Sequence, residues 1–336
     1  MNLSFETVDL HLRHTFTISR RSLRARRLII VRLEHDGLVG HGEAAPMGLT
    51  GESIETVTDA LPQMAAAIGE EPWPVESICE RLAGAFPQHP AARAAVDMAL
   101  RDLAAQRLGA PLYRVLGLDP TDCPMTSFTI GIDTPDVVRT KVEQVADWPI
   151  LKLKLGCEHD LELIRALREL SSAMLRVDAN AGWTPDQALE RIRELEPFGV
   201  EFVEQPIPPG DLDALRRVHE ASPLPIFADE SCVDPEDVPR LAGCVDGINI
   251  KLMKCGGIGS ALRMIHTARA CGLKLMLGCN IESSIAITAA AHLAPLVDYL
   301  DLDGHILITD DPFVGMQVDR GRVILPEGPG LGVTPR

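Results

Sequence analysis

The chain has 336 residues, of which 46% are hydrophobic and 24% charged, a length that fits roughly two domains with full hydrophobic cores. Its 48 acidic residues against 32 basic ones give a formal net charge of -16, which argues against nucleic acid or an anionic membrane surface as a partner. No apolar run reaches the roughly 18 residues of a membrane span, and no signal or transit peptide is visible, so we expect a cytoplasmic protein.

The N-terminal third predicts an α+β domain, residues 1–119. Residues 3–12, 28–34 and 38–44 alternate like strands, and His35-Asp36-Gly37 is typical of a hairpin turn between the last two. Helical patterns follow from Ser53, from Pro74 and over 91–108.

From residue 125 onward, short apolar runs alternate with helical segments. Eight candidate strands recur roughly every 25 residues, a spacing that suits one strand, one helix and two loops. They are 125–131, 150–154, 174–178, 200–204, 225–229, 247–251, 274–279 and 298–303. This alternation favours a TIM-type barrel over an open doubly wound sheet. No eighth helix is predicted, so we expect a modified TIM barrel, (β/α)7β, over 120–310 and a tail, 311–336, that returns to the N-terminal domain.

Charged residues stand where six of the eight predicted strands end. Three successive strands end in Asp178, Glu204 and Asp229, and strands that end in Lys154 and Lys251 flank them. The strand ends of such a barrel form its active face. Three carboxylates that converge there need a hard divalent cation to offset their repulsion, and oxygen ligands with open positions suit Mg²⁺.

The lysines of the second and sixth of these strands predict proton transfer. Lys152 and Lys154 lie two apart on one strand, so both side chains point into the barrel. Partial burial and a second ammonium disfavour the charged form, so we expect at least one of them to be a usable base. Lys251 stands across the barrel. A base on each face would remove the proton next to a substrate carboxylate from one side and return it on the other, which inverts a stereocentre.

Several motifs resemble the enolase superfamily in its muconate-lactonizing subgroup. The barrel motifs are ILKLKLG at 150–156, VDANAGW at 177–183, FVEQP at 202–206, ADES at 228–231 and NIKLMKCGG at 249–257. GHGEAAP at 40–46 and residues 91–117 resemble that family's capping domain, so the resemblance covers nearly the whole chain.

The resemblance implies roles for the strand-end residues. It makes Asp178, Glu204 and Asp229 the Mg²⁺ ligands and Lys154 and Lys251 the acid/base pair, as in a superfamily that uses lysine bases and Mg²⁺. Lys152 becomes an electrostatic assistant, and Lys254 an auxiliary or structural lysine.

The last predicted strand and the segment 278–284 are expected to contribute to substrate binding. Asp301 and Asp303 share one inward face, and two acids beside a substrate call for a cation. The pair resembles that of the dipeptide epimerases, in which it holds the substrate α-ammonium; the alternative is an acid pair without a ligand. Residues 278–284, GCNIESS, also resemble that group, with Glu282 in a supporting role.

An arginine of the segment 18–27 would suit an acidic substrate side chain, because this loop closes over the site in such enzymes. We take Arg24 as the candidate, against the alternative of a solvated or internally paired arginine. The expected substrate is then L-Ala-D/L-Glu, a dipeptide derived from murein.

Other functions remain open at this point. N-succinylamino acid racemases, o-succinylbenzoate synthases and cycloisomerases share the scaffold implied by the resemblance. Lys251 alone would suit a Schiff-base aldolase, and a non-catalytic peptide-binding protein is a further alternative. A homo-oligomer is compatible with the sequence, which does not specify one.

Overall fold

The N-terminal domain of the computed structural model, which describes all 336 residues, begins with a three-stranded antiparallel sheet. Its strands are β1 (Asn2–Ile18), β2 (Arg21–His35) and β3 (Leu38–Ala44). Positive φ angles at Asp36 (50°) and Gly37 (78°) form the predicted turn between β2 and β3. The segment 18–27, expected to be a loop, is instead the tip of a β1–β2 hairpin. The sequence does not predict this hairpin, because its tip is rich in arginine and has no apolar periodicity.

Four helices follow this sheet, and α1 and α3 pack against it: α1 (Ile54–Ile68), α2 (Val75–Ala85), α3 (Pro90–Arg107) and α4 (Leu112–Val115). Ser53 caps α1 as predicted, in a capping box completed by Thr56. Helix α3 packs on β3 so closely that a Cβ at Gly40 or Gly42 would overlap carbonyl oxygens of the helix. The small residues of the GHG segment therefore set the distance between sheet and helix.

Eight parallel strands form the barrel in sequential order, which confirms the predicted fold class. They are β4 (Phe128–Ile130), β5 (Ile150–Lys154), β6 (Met174–Asp178), β7 (Val200–Glu204), β8 (Ile226–Ala228), β9 (Gly247–Ile250), β10 (Lys274–Gly278) and β11 (Tyr299–Asp301). A parallel bridge from Thr126 to Leu300 joins the first strand to the last. Strand β4 is shorter than expected because Thr126 and Ser127 serve this closure.

The helices between the strands are α5 (Pro135–Gln144), α6 (Asp160–Arg168), α7 (Pro185–Leu195), α8 (Leu212–Ala221), α9 (Val238–Leu241), α10 (Leu252–Cys255), α11 (Ile258–Ala270) and α12 (Ser284–Ala291). As expected, no helix follows β11. None of the helices has the length and apolar character needed to cross a membrane.

The C-terminal tail contains β12 (Phe313–Val314), β13 (Gln317–Asp319), β14 (Arg322–Ile324) and β15 (Thr334–Pro335). It then contacts the N-terminal domain, where Leu112 N donates to Gly330 O (2.8 Å) and Leu331 N donates to Asp102 Oδ1 (2.7 Å). Asp97 of α3 links the N-terminal domain to the barrel by accepting from Ile258 N at the start of α11 (2.5 Å). These contacts hold the N-terminal domain over the barrel.

Candidate active site

Three buried carboxylates meet at the carboxyl ends of neighbouring barrel strands. Asp178 and Glu204 end β6 and β7 and are paired in register, and Asp229 directly follows β8. One oxygen from each lies within 4.8 Å of the others, and all three side chains are buried. The parallel register of the sheet brings them together as the sequence predicted.

The charges of this trio interact strongly. Burial and the neighbouring Asp178 raise the pKa of Glu204 to about 7. Burial also opposes ionisation of Asp178 and Asp229, but the facing lysines outweigh it and lower the pKa of both carboxyls. The trio is therefore a cluster of buried negative charge that the neighbouring lysines stabilise.

The donor set fits a hard divalent cation. Glu204 Oε2 accepts no hydrogen bond of good geometry, although Lys152 Nζ lies 2.5 Å away, and Asn180 Oδ1 is buried without a donor. Oxygen atoms that lack donors, next to three clustered carboxylates, are ligands that Mg²⁺ prefers. Asp178, Glu204 and Asp229 are the residues that could hold it.

Two lysines face the same cavity from opposite sides. Lys154 ends β5 and Lys251 follows β9, four strand positions away in an eight-stranded barrel, and both line the cavity. Lys154 Nζ donates to Asp178 Oδ2 (2.6 Å), and Lys251 Nζ donates to Asp229 Oδ2 (2.8 Å). A planar group between them would have one amine on each face.

Lys152 is fully buried and does not line the cavity. Its Nζ donates to Asp301 Oδ2 (2.5 Å) and lies against Glu204. Burial lowers the pKa of Lys152 and of Lys251, but the carboxylates around each amine outweigh burial and leave both raised. Lys152 is therefore not the usable base expected within this lysine pair, because the surrounding acids, which a local sequence pattern does not reveal, favour its charged form.

Positioning residues surround the trio, and the sequence analysis missed two of them. Lys254 Nζ donates to Asp229 Oδ1 (2.7 Å) and to three backbone carbonyls, in the structural role expected of it. Gln205 Oε1 accepts from Asp229 N (2.9 Å), and Asn249 Nδ2 donates to Glu204 Oε1 (2.7 Å). Each lies within a strand-end motif quoted above, FVEQP or NIKLMKCGG, and this position could have pointed to the two amides.

The backbone beside the carboxylates is strained. Asn180, Ala181 and Gln205 have φ angles of 45°, 61° and 36°, which cost on the order of 1–3 kcal/mol each for residues other than glycine. Ala181 N donates to Gln205 O (2.8 Å), so the two strained loops support each other. Strain that is retained next to three buried acids marks this loop pair as functional.

Asp301 and Asp303 line the cavity, as the sequence predicted. Asp301 is held by Lys152 and by Ser127 Oγ (2.8 Å), and the pull of Lys152 lowers its pKa against the effect of burial. Asp303 accepts only from the Thr129 backbone N–H (2.6 Å) and has no cationic partner. Burial and the charge of Asp301 raise the pKa of Asp303 to about 7. A cation in the cavity would stabilise the ionised form of Asp303.

Glu282 is buried behind the cavity rather than in its wall. Its Oε1 accepts from Asn280 N and Nδ2, both at 3.1 Å, and Asn280 does line the cavity. Glu282 therefore supports the loop after β10.

The hairpin tip brings three arginines to the cavity, and Arg24 is not one of them. Arg24 is exposed and does not line the cavity, although its neighbour Leu23 does. This corrects the expectation for Arg24. Arg20 pairs with Glu230, and Arg26 bonds the carbonyl of Pro46, whereas the Arg21 side chain has no partner.

Comparison with known proteins matches both halves of the chain. Residues 4–117 match the mandelate racemase / muconate lactonizing enzyme N-terminal domain, and residues 137–336 match the enolase C-terminal domain-like family. An L-Ala-D/L-Glu epimerase from Bacteroides thetaiotaomicron is 43% identical over 99% of this chain and 88% of its own length.

Solved structures match over the full length. The dipeptide epimerase from Enterococcus faecalis, complexed with Mg and L-Leu-L-Tyr, has a TM-score of 0.94 at 36% identity, over 99% of this chain and 98% of that one. An N-succinyl Arg/Lys racemase from Bacillus cereus also reaches 0.94, at 29% identity, over 99% and 95%. The chain therefore belongs to the enolase superfamily, in the mandelate racemase / muconate lactonizing enzyme family.

Proposed function

We propose that this protein is a Mg²⁺-dependent dipeptide epimerase that inverts the α-carbon of the C-terminal residue by two-base proton transfer. One observation carries the proposal: the cavity between Lys154 and Lys251 also contains the buried acid pair Asp301 and Asp303. The lysines and the carboxylate trio fit the inversion of a carbon next to a carboxylate. The acid pair adds a site for a second, cationic end of the substrate. The names of the two similar epimerases support the same function.

The carboxylate trio is the proposed Mg²⁺ site. Asp178, Glu204 and Asp229 would hold Mg²⁺, and its positive charge would stabilise negative charge that develops next to the substrate carboxylate and would weaken the pairing of these acids with the lysines.

The two cavity lysines exchange the α-proton. One amine takes the proton from the substrate α-carbon, and the ammonium on the opposite face delivers a proton to the same carbon. In the reverse direction the two lysines exchange roles. Lys152 cannot reach the carbon because it is sealed behind the cavity, and it holds Glu204 and Asp301 in place with its charge.

The acid pair fixes the other end of the substrate. Asp303 has one backbone donor and a raised pKa, so the free α-ammonium of a dipeptide would restore the charge that burial disfavours. An N-acylated amino acid has no such cation. This difference separates a dipeptide epimerase from an N-succinylamino acid racemase with the same lysines and metal ligands.

The side chain of the inverted residue is proposed to meet Arg21. Arg20 and Arg26 are bound within the protein, so Arg21 is the arginine of the hairpin that remains available to a ligand in the cavity. A guanidinium suits the carboxylate of a C-terminal glutamate. We therefore favour L-Ala-D/L-Glu or a related dipeptide that ends in glutamate.

Asp303→Asn is expected to lower kcat/KM for L-Ala-L-Glu roughly 30- to 100-fold, because the substrate ammonium loses a buried partner while Asp301 remains. N-acetyl-L-Ala-L-Glu should be a poor substrate for the wild type and should lose little more in the variant. Epimerisation of each compound by both proteins, with an N-succinylamino acid as a third substrate, provides the test. A wild type that prefers the succinylated or acetylated compound would replace the dipeptide assignment with the racemase one.

Arg21→Met is expected to lower kcat/KM for L-Ala-L-Glu about 30-fold, equivalent to about 2 kcal/mol, with a much smaller effect on L-Ala-L-Leu. Arg24→Met is the matched control, since it removes an exposed arginine of the same strand. Steady-state kinetics on both dipeptides decides between the two positions. Selective loss in the Arg24 variant alone would show that the hairpin arginines are wrongly assigned.

A further inference from the structure

A second cavity adjoins the substrate site on the side of Asp303. It has a volume of about 200 Å³ and shares Phe16, Thr129 and Leu307 with the cavity that contains the lysines. Thr129 is also the residue whose backbone N–H donates to Asp303 and whose hydroxyl lies 3.3 Å from Asp301. The boundary between the two cavities therefore lies where the proposed ammonium site lies.

A bulge in β1 builds the outer wall of this cavity. The β1–β2 register jumps from His11–Ala25 to Phe16–Leu23, so residues 12–15 of β1 lie opposite Arg24 alone. The bulged residues pair with the loop after β11 instead, through a Leu12–Ile308 bridge and an Arg13 N to Leu307 O bond (2.9 Å). Bulges redirect side chains beside active sites, and this one brings β1 to the barrel mouth.

The wall of the second cavity is mostly apolar. Six hydrophobic side chains line it: Leu12, Phe16, Phe128, Val145, Ile306 and Leu307. Its polar groups are held by protein partners: Lys141 Nζ by Asp133 (3.1 Å), Arg13 Nε by Ile306 O (2.9 Å), and His14 Nε2 against Gln144 Oε1 (3.3 Å). The cavity therefore offers mainly hydrocarbon contact, and of its Arg and Lys side chains only Arg13 has no carboxylate partner.

We infer that this second cavity binds the side chain of the N-terminal residue of the dipeptide, and that it selects a large aliphatic residue over alanine. The inference rests on the proposed function, because it places the α-ammonium at Asp303. The side chain of the N-terminal residue branches from the carbon that carries this ammonium, so it starts beside Thr129 at the mouth of the cavity. A methyl group would leave the cavity largely unfilled, whereas a leucine side chain would displace water from its apolar wall.

Wild-type kinetics with L-Leu-L-Glu and L-Ala-L-Glu test this preference directly. We expect kcat/KM for L-Leu-L-Glu to be at least about tenfold higher, as additional methylenes in a hydrophobic pocket commonly give. Equal or better use of L-Ala-L-Glu would overturn the subsite assignment and leave the epimerase proposal intact. Failure to epimerise any dipeptide would instead overturn the proposed function.

A substitution that fills the second cavity provides a second test of the subsite. Ile306→Phe adds bulk to the wall of the second cavity and should reduce the Leu-to-Ala kcat/KM ratio at least tenfold. Val137→Phe is the control, because Val137 is exposed on α5 and does not line the cavity. It should keep the wild-type ratio. A ratio that Ile306→Phe leaves unchanged, in a variant that unfolds at the wild-type temperature, would contradict the assignment.

Discussion

Alanine at either Lys154 or Lys251 is expected to slow epimerisation at least about 10³-fold in both directions, because each turnover needs a base on one face and an acid on the other. Each variant should still exchange the α-proton of one epimer with D₂O through its remaining lysine. The two variants should differ in which epimer they exchange. Proton NMR of both epimers in D₂O measures interconversion and exchange in the same sample.

Lys274→Ala is the matched control for this experiment. Lys274 lies at the start of β10, at the opposite end of the barrel, and its exposed side chain pairs with Asp298. Its loss should leave both rates near those of the wild type. Interconversion at a near wild-type rate in the Lys154 or Lys251 variant would show that the two-base assignment is wrong.

Asp229→Asn is expected to abolish turnover and to remove saturable Mg²⁺ binding at concentrations that saturate the wild type, because it takes a formal charge from a hard-cation site. The carboxylate also neutralises Lys251 and Lys254, so the free energy of unfolding should fall by roughly 3 kcal/mol. Calorimetric Mg²⁺ titration and urea unfolding separate the two effects.

Asp213→Asn is the control, since the Asp213 side chain is 94% exposed on α8, far from the trio. It should bind Mg²⁺ and turn over like the wild type. Full activity of either the Asp229 variant or a chelator-treated, metal-free wild type would contradict the metal assignment.

The barrel could be predicted from the sequence because its signals are local and repeated. Five strands, β5, β6, β7, β9 and β10, begin where the predicted strands begin, and charged residues mark the active ends of β5, β6 and β7. Convergence of Asp178, Glu204 and Asp229 then follows from parallel register alone. Side-chain alternation likewise places Asp301 and Asp303 on one face.

Features that depend on distant contacts could not be predicted in the same way. The face on which Arg24 lies depends on where β1 ends and on its bulge, and neither leaves an apolar pattern in the arginine-rich tip. The pKa of Lys152 depends on Asp301, which lies 149 residues later in the chain. Gln205 and Asn249 act through hydrogen bonds to members of the carboxylate trio on other strands, and an amide within a motif does not reveal its partner.

Isotope content at the α-carbon during the first turnovers tests the proposed inversion most directly. Mg²⁺-loaded wild type is mixed with L-Ala-L-Glu in D₂O, and the L-Ala-D-Glu formed early is analysed by NMR and mass spectrometry. We expect deuterium at the α-carbon of the C-terminal residue from the earliest time points, because the opposite lysine delivers a proton that has exchanged with solvent. A product that keeps the hydrogen of the substrate at this carbon, or a dipeptide that is neither epimerised nor exchanged, would contradict the two-base epimerase.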